Sequence, residues 1–86
     1  MEKRIGVVGI VIDTPEISAK EVNAILSEFA NLIIGRMGIP YKKREVSVIS
    51  LMVEGTTDQI GAMTGKLGQI KNVSVKSLLT NKSYID

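Results

Sequence analysis

The residues best suited to binding a ligand lie in the segment 35–41, where an arginine stands between two glycines in an otherwise apolar stretch. Glycine inside a strand often marks a bulge or a place where another backbone or a ligand approaches closely. The guanidinium of Arg36 can hold a carboxylate or a phosphate through paired hydrogen bonds. It can equally protect an exposed strand edge from pairing with other chains. The sequence leaves these two interpretations of Arg36 open.

Acidic and hydroxyl side chains gather at two turns that each precede a helix. The first turn holds Asp13 and Thr14 before Pro15, and the second runs over residues 54–58. At the start of a helix such side chains usually accept hydrogen bonds from free backbone N–H groups. They could also line a small-molecule pocket between subunits or supply oxygen ligands to a hard cation. Capping is the favoured interpretation.

Two further features favour a structural interpretation. Gly61, Gly65 and Gly68 fall on one side of the second helix. Each costs about 1 kcal/mol relative to alanine, so we expect close packing against the first helix or a partner subunit, with room for a ligand as the alternative. The basic run 42–44 lacks the aromatic side chains on which RNA-binding sheets stack bases, and we interpret it as a solvated loop.

Composition excludes several kinds of chemistry. The 86 residues include no cysteine and no histidine, which removes disulfides, thiolate nucleophiles and the commonest transition-metal ligands. The sequence has no nucleophile paired with a base, no phosphate-binding glycine loop and no metal-ligand spacing. An enzyme, a cofactor and a metal site are therefore not expected. The net charge of +2 is too small to indicate nucleic-acid binding by itself.

Hydropathy favours a single domain over residues 1–86 with an aliphatic core. Hydrophobic residues make up 44% of the chain but aromatic residues only 3%. No apolar run reaches the ~20 residues that a membrane-spanning helix needs, so we expect a cytoplasmic protein without a membrane partner. The ordered core is expected over residues 4–79, followed by a polar tail at 80–86.

Hydrophobic periodicity predicts a β-α-β-β-α-β order. The strands are expected at 4–12, 32–40, 46–54 and 73–79. The first helix is expected to begin at Ser18, which forms a capping-box pair with Glu21, and the second to follow the turn at 55–58 and close at Asn72. A shift of about 41 positions aligns the strands and helix of the first half with those of the second. Two such halves sharing one sheet form an α+β, ferredoxin-like βαββαβ sandwich, with a four-stranded antiparallel sheet and two helices on one face.

The uncovered face of that sheet is expected to be an interface. A half-solvated sheet alternates apolar and polar residues along each strand, yet the first and third strands are apolar on both faces. The apolar residues left on the open face are Ile5, Val7, Val11, Val46, Val48 and Met52. A patch of this kind marks contact with another protein, and we predict a homo-oligomer, either a dimer or a tetramer. Partial cover by the C-terminal tail is the alternative.

Four segments carry a resemblance to a known family. They are residues 4–11, 22–28, 34–41 and 61–68, and the string Gly-Arg-Met-Gly-Ile-Pro-Tyr at 35–41 is the most specific part. Over nearly the whole chain, to about Leu79, the sequence resembles the iron-only hydrogenase system regulators. That family is similar in fold to ACT domains and to the C-terminal domain of the nickel-responsive regulator. The resemblance implies a dimer or tetramer of ferredoxin-like subunits with a regulatory, ligand-sensing role.

The resemblance also implies a place for a ligand. In ACT domains the effector, usually an amino acid, lies at a subunit interface near the first strand-to-helix turn. That position corresponds here to Asp13 and Thr14, with Gly9, Arg36 and Gly38 as neighbours. The nickel site of the nickel-responsive regulator cannot be carried over, because its histidine and cysteine ligands are missing. A regulator of transcription without a DNA-binding module of its own would act through a protein partner.

Three hypotheses about function follow. The leading one is a non-enzymatic, homo-oligomeric ACT-like sensor that binds a small molecule at a subunit interface. The alternative is a structural or adaptor oligomer without a ligand, in which Arg36 and the helix glycines serve assembly. A nucleic-acid binder using Lys42, Lys43 and Arg44 is the least supported of the three.

Overall fold

The chain adopts the expected β-α-β-β-α-β order and adds a short fifth strand near its end. The computed structural model describes residues 2–85. In chain order the elements are β1 (Glu2–Ile12), α1 (Pro15–Glu28), a 3-10 turn (Ala30–Leu32), β2 (Ile33–Tyr41), β3 (Val46–Gly55), α2 (Thr57–Gly68), β4 (Val73–Leu79) and β5 (Tyr84–Ile85).

The strands form one antiparallel sheet in the order β2-β3-β1-β4. β1 lies in the middle, paired with β3 along Arg4 to Ile12 and with β4 along Gly6 to Ile12. β2 is an edge strand whose only partner in the described sheet is β3, and its register shifts between Ile33 and Gly35. The predicted ferredoxin-like fold is therefore confirmed.

The core lies between one face of the sheet and the two helices. It is aliphatic, as predicted, because every residue in the buried cluster is Val, Ile, Leu or Met. Alternate residues of the two central strands point into it, including Val8, Ile10 and Leu51, which are fully buried. The helices cover them with Val22, Leu26, Ile60, Met63, Leu67 and Ile70.

The outer face of the sheet, opposite the helices, carries exposed apolar side chains. Val7 retains 44% of its surface and Val48 42%, in agreement with the orientation predicted for these two residues. The edge strands extend the same surface with Met37, Ile39 and Leu78, the last of which is 74% exposed. Ile5, Val11 and Val46, also predicted on this face, are half-buried.

The start of the first helix was predicted wrongly. α1 begins at Pro15, with Thr14 at the N-cap position and no side-chain capping bond. Ser18 is instead buried inside the helix, where its hydroxyl donates to the carbonyl of Lys71 at 2.8 Å. Proline suits a first helical turn, where its missing N–H needs no partner. The serine is used for a long-range contact that a local capping pattern cannot indicate.

The second helix has the capping box that the first lacks. The Thr56 hydroxyl accepts from the Gln59 N–H at 3.1 Å, and the Gln59 side chain accepts from the Thr56 N–H at 2.9 Å. Capping by a turn hydroxyl is thus confirmed at this turn, whereas it was wrong for the first turn, where Thr14 makes no side-chain capping bond. The helix ends at Gly68, before the predicted Asn72, which instead takes a left-handed conformation with φ of 65°.

The segment predicted as a polar tail contributes to the sheet. Tyr84 pairs with Lys3 and Ile85 with Glu2, so β5 extends the sheet beside the first residues of β1. Asp86 lies outside the described residues. The pairing extends the sheet edge and leaves Val7 and Leu78 exposed. Within residues 2–85 no helix combines the length and the hydropathy needed to cross a membrane.

Candidate functional site

The five residues predicted to bind a ligand lie in three separate places on one subunit. Asp13 and Thr14 form the turn between β1 and α1. Arg36 and Gly38 line a groove between α1 and β2 on the helix side of the sheet. Gly9 lies on the outer face, at the middle of β1. The sheet separates Gly9 from Arg36, so within one subunit they cannot contact the same small ligand.

The β1–α1 turn is tied to the turn before β4. The N–H of Asp13 donates to the Asn72 carbonyl at 2.8 Å, and the Asn72 side-chain amide donates to the Thr14 hydroxyl at 3.0 Å. The left-handed backbone of Asn72 suits this short connection, since asparagine tolerates that conformation better than most residues. Thr14 is therefore engaged in a contact between turns, which orients it toward β4 and away from Arg36.

The groove between α1 and β2 contains the one predicted residue with ligand-binding chemistry. Arg36 Nη2 donates to Asn23 Oδ1 at 3.1 Å. The groove has a volume of about 160 Å³, and its wall also includes Gly38, Pro40 and Ser47. Its floor is apolar, built from Ile12, Ala19 and Ile49. Asn23 and Ser47 were not identified from the sequence, because neither belongs to a recognisable motif.

Gly9 occupies an open position in the sheet. It pairs with Ser50 of β3 and Lys76 of β4, and Ser50 pairs in turn with Met37 of β2. A Cβ placed on Gly9 would have no neighbour within 4 Å, and its backbone has no positive φ. Nothing among residues 2–85 therefore requires glycine at this position.

The helix glycines do not make the close contact with the first helix that was expected. A Cβ on Gly61 or Gly65 would meet nothing within 4 Å, and one on Gly68 would lie 3.5 Å from Val75 of β4. Packing against α1 is thus wrong for Gly61 and Gly65. Packing against a partner subunit is untested, and it is the alternative to association through the outer face of the sheet.

One ion pair outside the groove joins the two helices. Lys66 binds Glu28 at 2.6 Å and lies 5.5 Å from the ring centroid of Phe29, which links the ends of the two helices. Both partners are half exposed, so the pair contributes less than about 1 kcal/mol. Among residues 2–85 no cluster of three acidic side chains could hold a metal ion. The basic residues Lys42 to Arg44 lie in the turn between β2 and β3.

Comparison with known proteins identifies relatives that cover most of the chain. The model of the TM1266-like family, described as an iron-only hydrogenase system regulator, matches residues 4–77. The solved structure of the uncharacterized protein TM1266 from Thermotoga maritima is 36% identical and has a TM-score of 0.89, covering 93% of this chain and 100% of that one. No protein with a curated description matches the chain significantly.

More distant structures share the fold alone. A formyltetrahydrofolate deformylase from Pseudomonas putida KT2440 has a TM-score of 0.64 at 7% identity, covering 91% of this chain and 29% of that one. CPII from Thiomonas intermedia K12 is a nitrogen regulatory PII-like protein, solved with ADP, AMP and bicarbonate. It has a TM-score of 0.56 at 10% identity and 92% coverage of both chains.

Proposed function

The chain belongs to the TM1266-like family, to which a role as regulator of iron-only hydrogenase systems is ascribed, and we infer that it is a non-enzymatic, homo-oligomeric domain that senses a small molecule. The observation that carries this proposal is the outer face of the sheet. Three strands expose Val7, Val48 and Met52, as well as Ile39, on one surface. A sheet face that meets only water normally presents polar residues there.

A second copy of the chain is the partner that this surface fits. Each copy offers the same apolar face, so two faces can meet in a self-complementary contact about a two-fold axis. In the cross-strand row through Gly9, Ser50 lies on one side of the glycine and Lys76 on the other. The neighbouring rows carry Val11 with Val48 and Val7 with Met52. The glycine would let two sheets approach closely where the valines pack around it.

The sensing part of the proposal rests on the groove between α1 and β2. It brings a guanidinium, from Arg36, to an apolar cavity that opens to solvent. An arginine in such a place can bind and orient an anionic ligand. A ligand held there would contact both α1 and the edge strand β2, and it would stabilise the folded subunit against unfolding.

A thermal-shift screen over amino acids, organic acids, nucleotides and metal ions tests the sensing role. Any ligand that binds the folded chain stabilises it, by about 1.4 kcal/mol at ten times its Kd. For a domain of this size, each kcal/mol of added stability raises Tm by roughly 4–8 °C. We expect at least one compound to produce a rise of several degrees. A screen without any rise would contradict sensing and favour a ligand-free adaptor oligomer.

A further inference from the structure

We propose that the groove between α1 and β2 selects small aliphatic carboxylates that carry no ammonium group. This inference rests on the proposed sensing function and names the class of ligand for its site. Arg36 is the residue that would bind the carboxylate, and the apolar floor of the groove would receive the aliphatic part.

The position of Arg36 leaves its guanidinium available. It pairs with Leu51 across the β2–β3 ladder, and since Leu51 is buried under the helices, Arg36 lies on the helix side of the sheet. Its one hydrogen bond to a described side chain goes to the neutral oxygen of Asn23. None of the described carboxylates forms an ion pair with it. Of its five N–H donors, most therefore remain free for a ligand.

The other polar groups of the groove suit an anion. The Asn23 side-chain oxygen accepts from Arg36, so the amide NH₂ of Asn23 is left as a donor. The Ser47 hydroxyl has no hydrogen bond to another described residue. A planar guanidinium with neutral donors around it matches a carboxylate in both charge and geometry.

The residues that line the groove disfavour an amino acid as its ligand. No aspartate or glutamate lines the groove, so an ammonium group bound next to Arg36 would meet a like charge without gaining a negative partner. Like charges close together in a partly desolvated site disfavour each other. The groove thus discriminates between a carboxylate and the corresponding α-amino acid.

The volume and floor set the size of the ligand. A groove of about 160 Å³ is comparable in volume to a cavity of ~150 Å³ that holds benzene, which suits a molecule of a few carbon atoms. Gly38 is not required by packing, because a Cβ there would lie 3.7 Å from Ile49, an ordinary contact distance. Since Gly38 lines the groove, a larger side chain at this position would reduce the space for a ligand without removing Arg36.

The test is a titration of the ¹⁵N-labelled chain followed by amide chemical shifts. Isovalerate, valine and isovaleramide share a carbon skeleton and differ in the ammonium and in the carboxylate charge. We expect isovalerate to shift the amides of Asn23, Gly38 and Ser47 saturably, with valine and isovaleramide at least tenfold weaker. Arg36→Gln and Gly38→Val should each weaken isovalerate binding at least tenfold, whereas Arg44→Gln, which removes a charge in the β2–β3 turn, should leave it unchanged.

Several results would overturn the proposal. Valine could bind as tightly as isovalerate, or the Arg36→Gln variant could bind isovalerate as tightly as the parent chain does. Inorganic phosphate could bind more tightly than isovalerate, or the amides of the groove could show no saturable shift. If the thermal-shift screen still finds another ligand, only the carboxylate assignment fails. If that screen is also flat, the sensing function itself fails.

Discussion

Gly9→Glu is expected to separate the homo-oligomer into folded monomers, weakening self-association at least about 100-fold, or about 2.8 kcal/mol. Gly9 lies at the centre of the outer face, between Ser50 and Lys76. In the oligomer the side chain would fill the space through which the two sheets approach, and its carboxylate would lose water even where Lys76 pairs with it, at a desolvation cost that can exceed the Coulombic gain. In the monomer the same carboxylate points into open space and faces Lys76 across the strands, a favourable pair. Light scattering coupled to size exclusion measures the mass.

Gly61→Glu is the matched control for this change. Gly61 also has open space around its Cβ position, but it lies in α2, on the other side of the sheet. Glutamate is a better helix former than glycine, so this variant should fold at least as stably and keep the mass of the parent. If Gly61→Glu dissociates the oligomer while Gly9→Glu does not, the subunits associate through the helices and the proposed interface is wrong.

Gly6→Ala is expected to lower the free energy of unfolding by about 2–3 kcal/mol, near the upper end of overpacking effects. Gly6 faces Leu79 in the β1–β4 ladder. A Cβ at this position would lie 2.6 Å from the Leu78 carbonyl oxygen, and it would overlap the Leu79 side chain. The side chain can rotate, but the carbonyl belongs to the backbone of β4, so relief requires the two strands to move apart. Urea denaturation at fixed protein concentration measures the loss.

Gly38→Ala provides the comparison for that prediction. It makes the same change in another strand, where the new Cβ would lie 3.7 Å from Ile49. We expect a change within about 0.5 kcal/mol, the usual range for sites without such a feature. Equal losses for the two variants would mean that strand glycines are required generally and that the close approach at Gly6 has no special role.

The fold could be predicted because its signals are local and repeated. Continuous apolar strands, a helical stripe in each half and one register relating the halves all indicate the same βαββαβ arrangement. The start of α1 was missed because Ser18 and Glu21 imitate a capping box, whereas the serine hydroxyl binds Lys71 from the far end of the chain. β5 was missed because its two residues form a strand only by pairing with Glu2 and Lys3.

The candidate site was predicted less well than the fold. Arg36 could be identified because it is a charged residue among apolar ones. Its neighbours Asn23 and Ser47 could not, because they lie on other elements and belong to no recognisable motif. The face on which a strand residue lies depends on register, and that register puts Gly9 on the opposite side of the sheet from Arg36. The hydrogen bond from Asn72 to Thr14 joins residues that are distant in sequence, so only the folded chain reveals it.

Sedimentation equilibrium of the unmodified chain tests the central claim most directly, because association through the outer face requires a stable complex in dilute solution. We expect a single species at micromolar concentration with two or four times the chain mass of 9.3 kDa. Its mass should persist in concentrated salt, since burial of apolar surface is not screened as charge pairs are. A stable monomer at micromolar concentration would contradict the account.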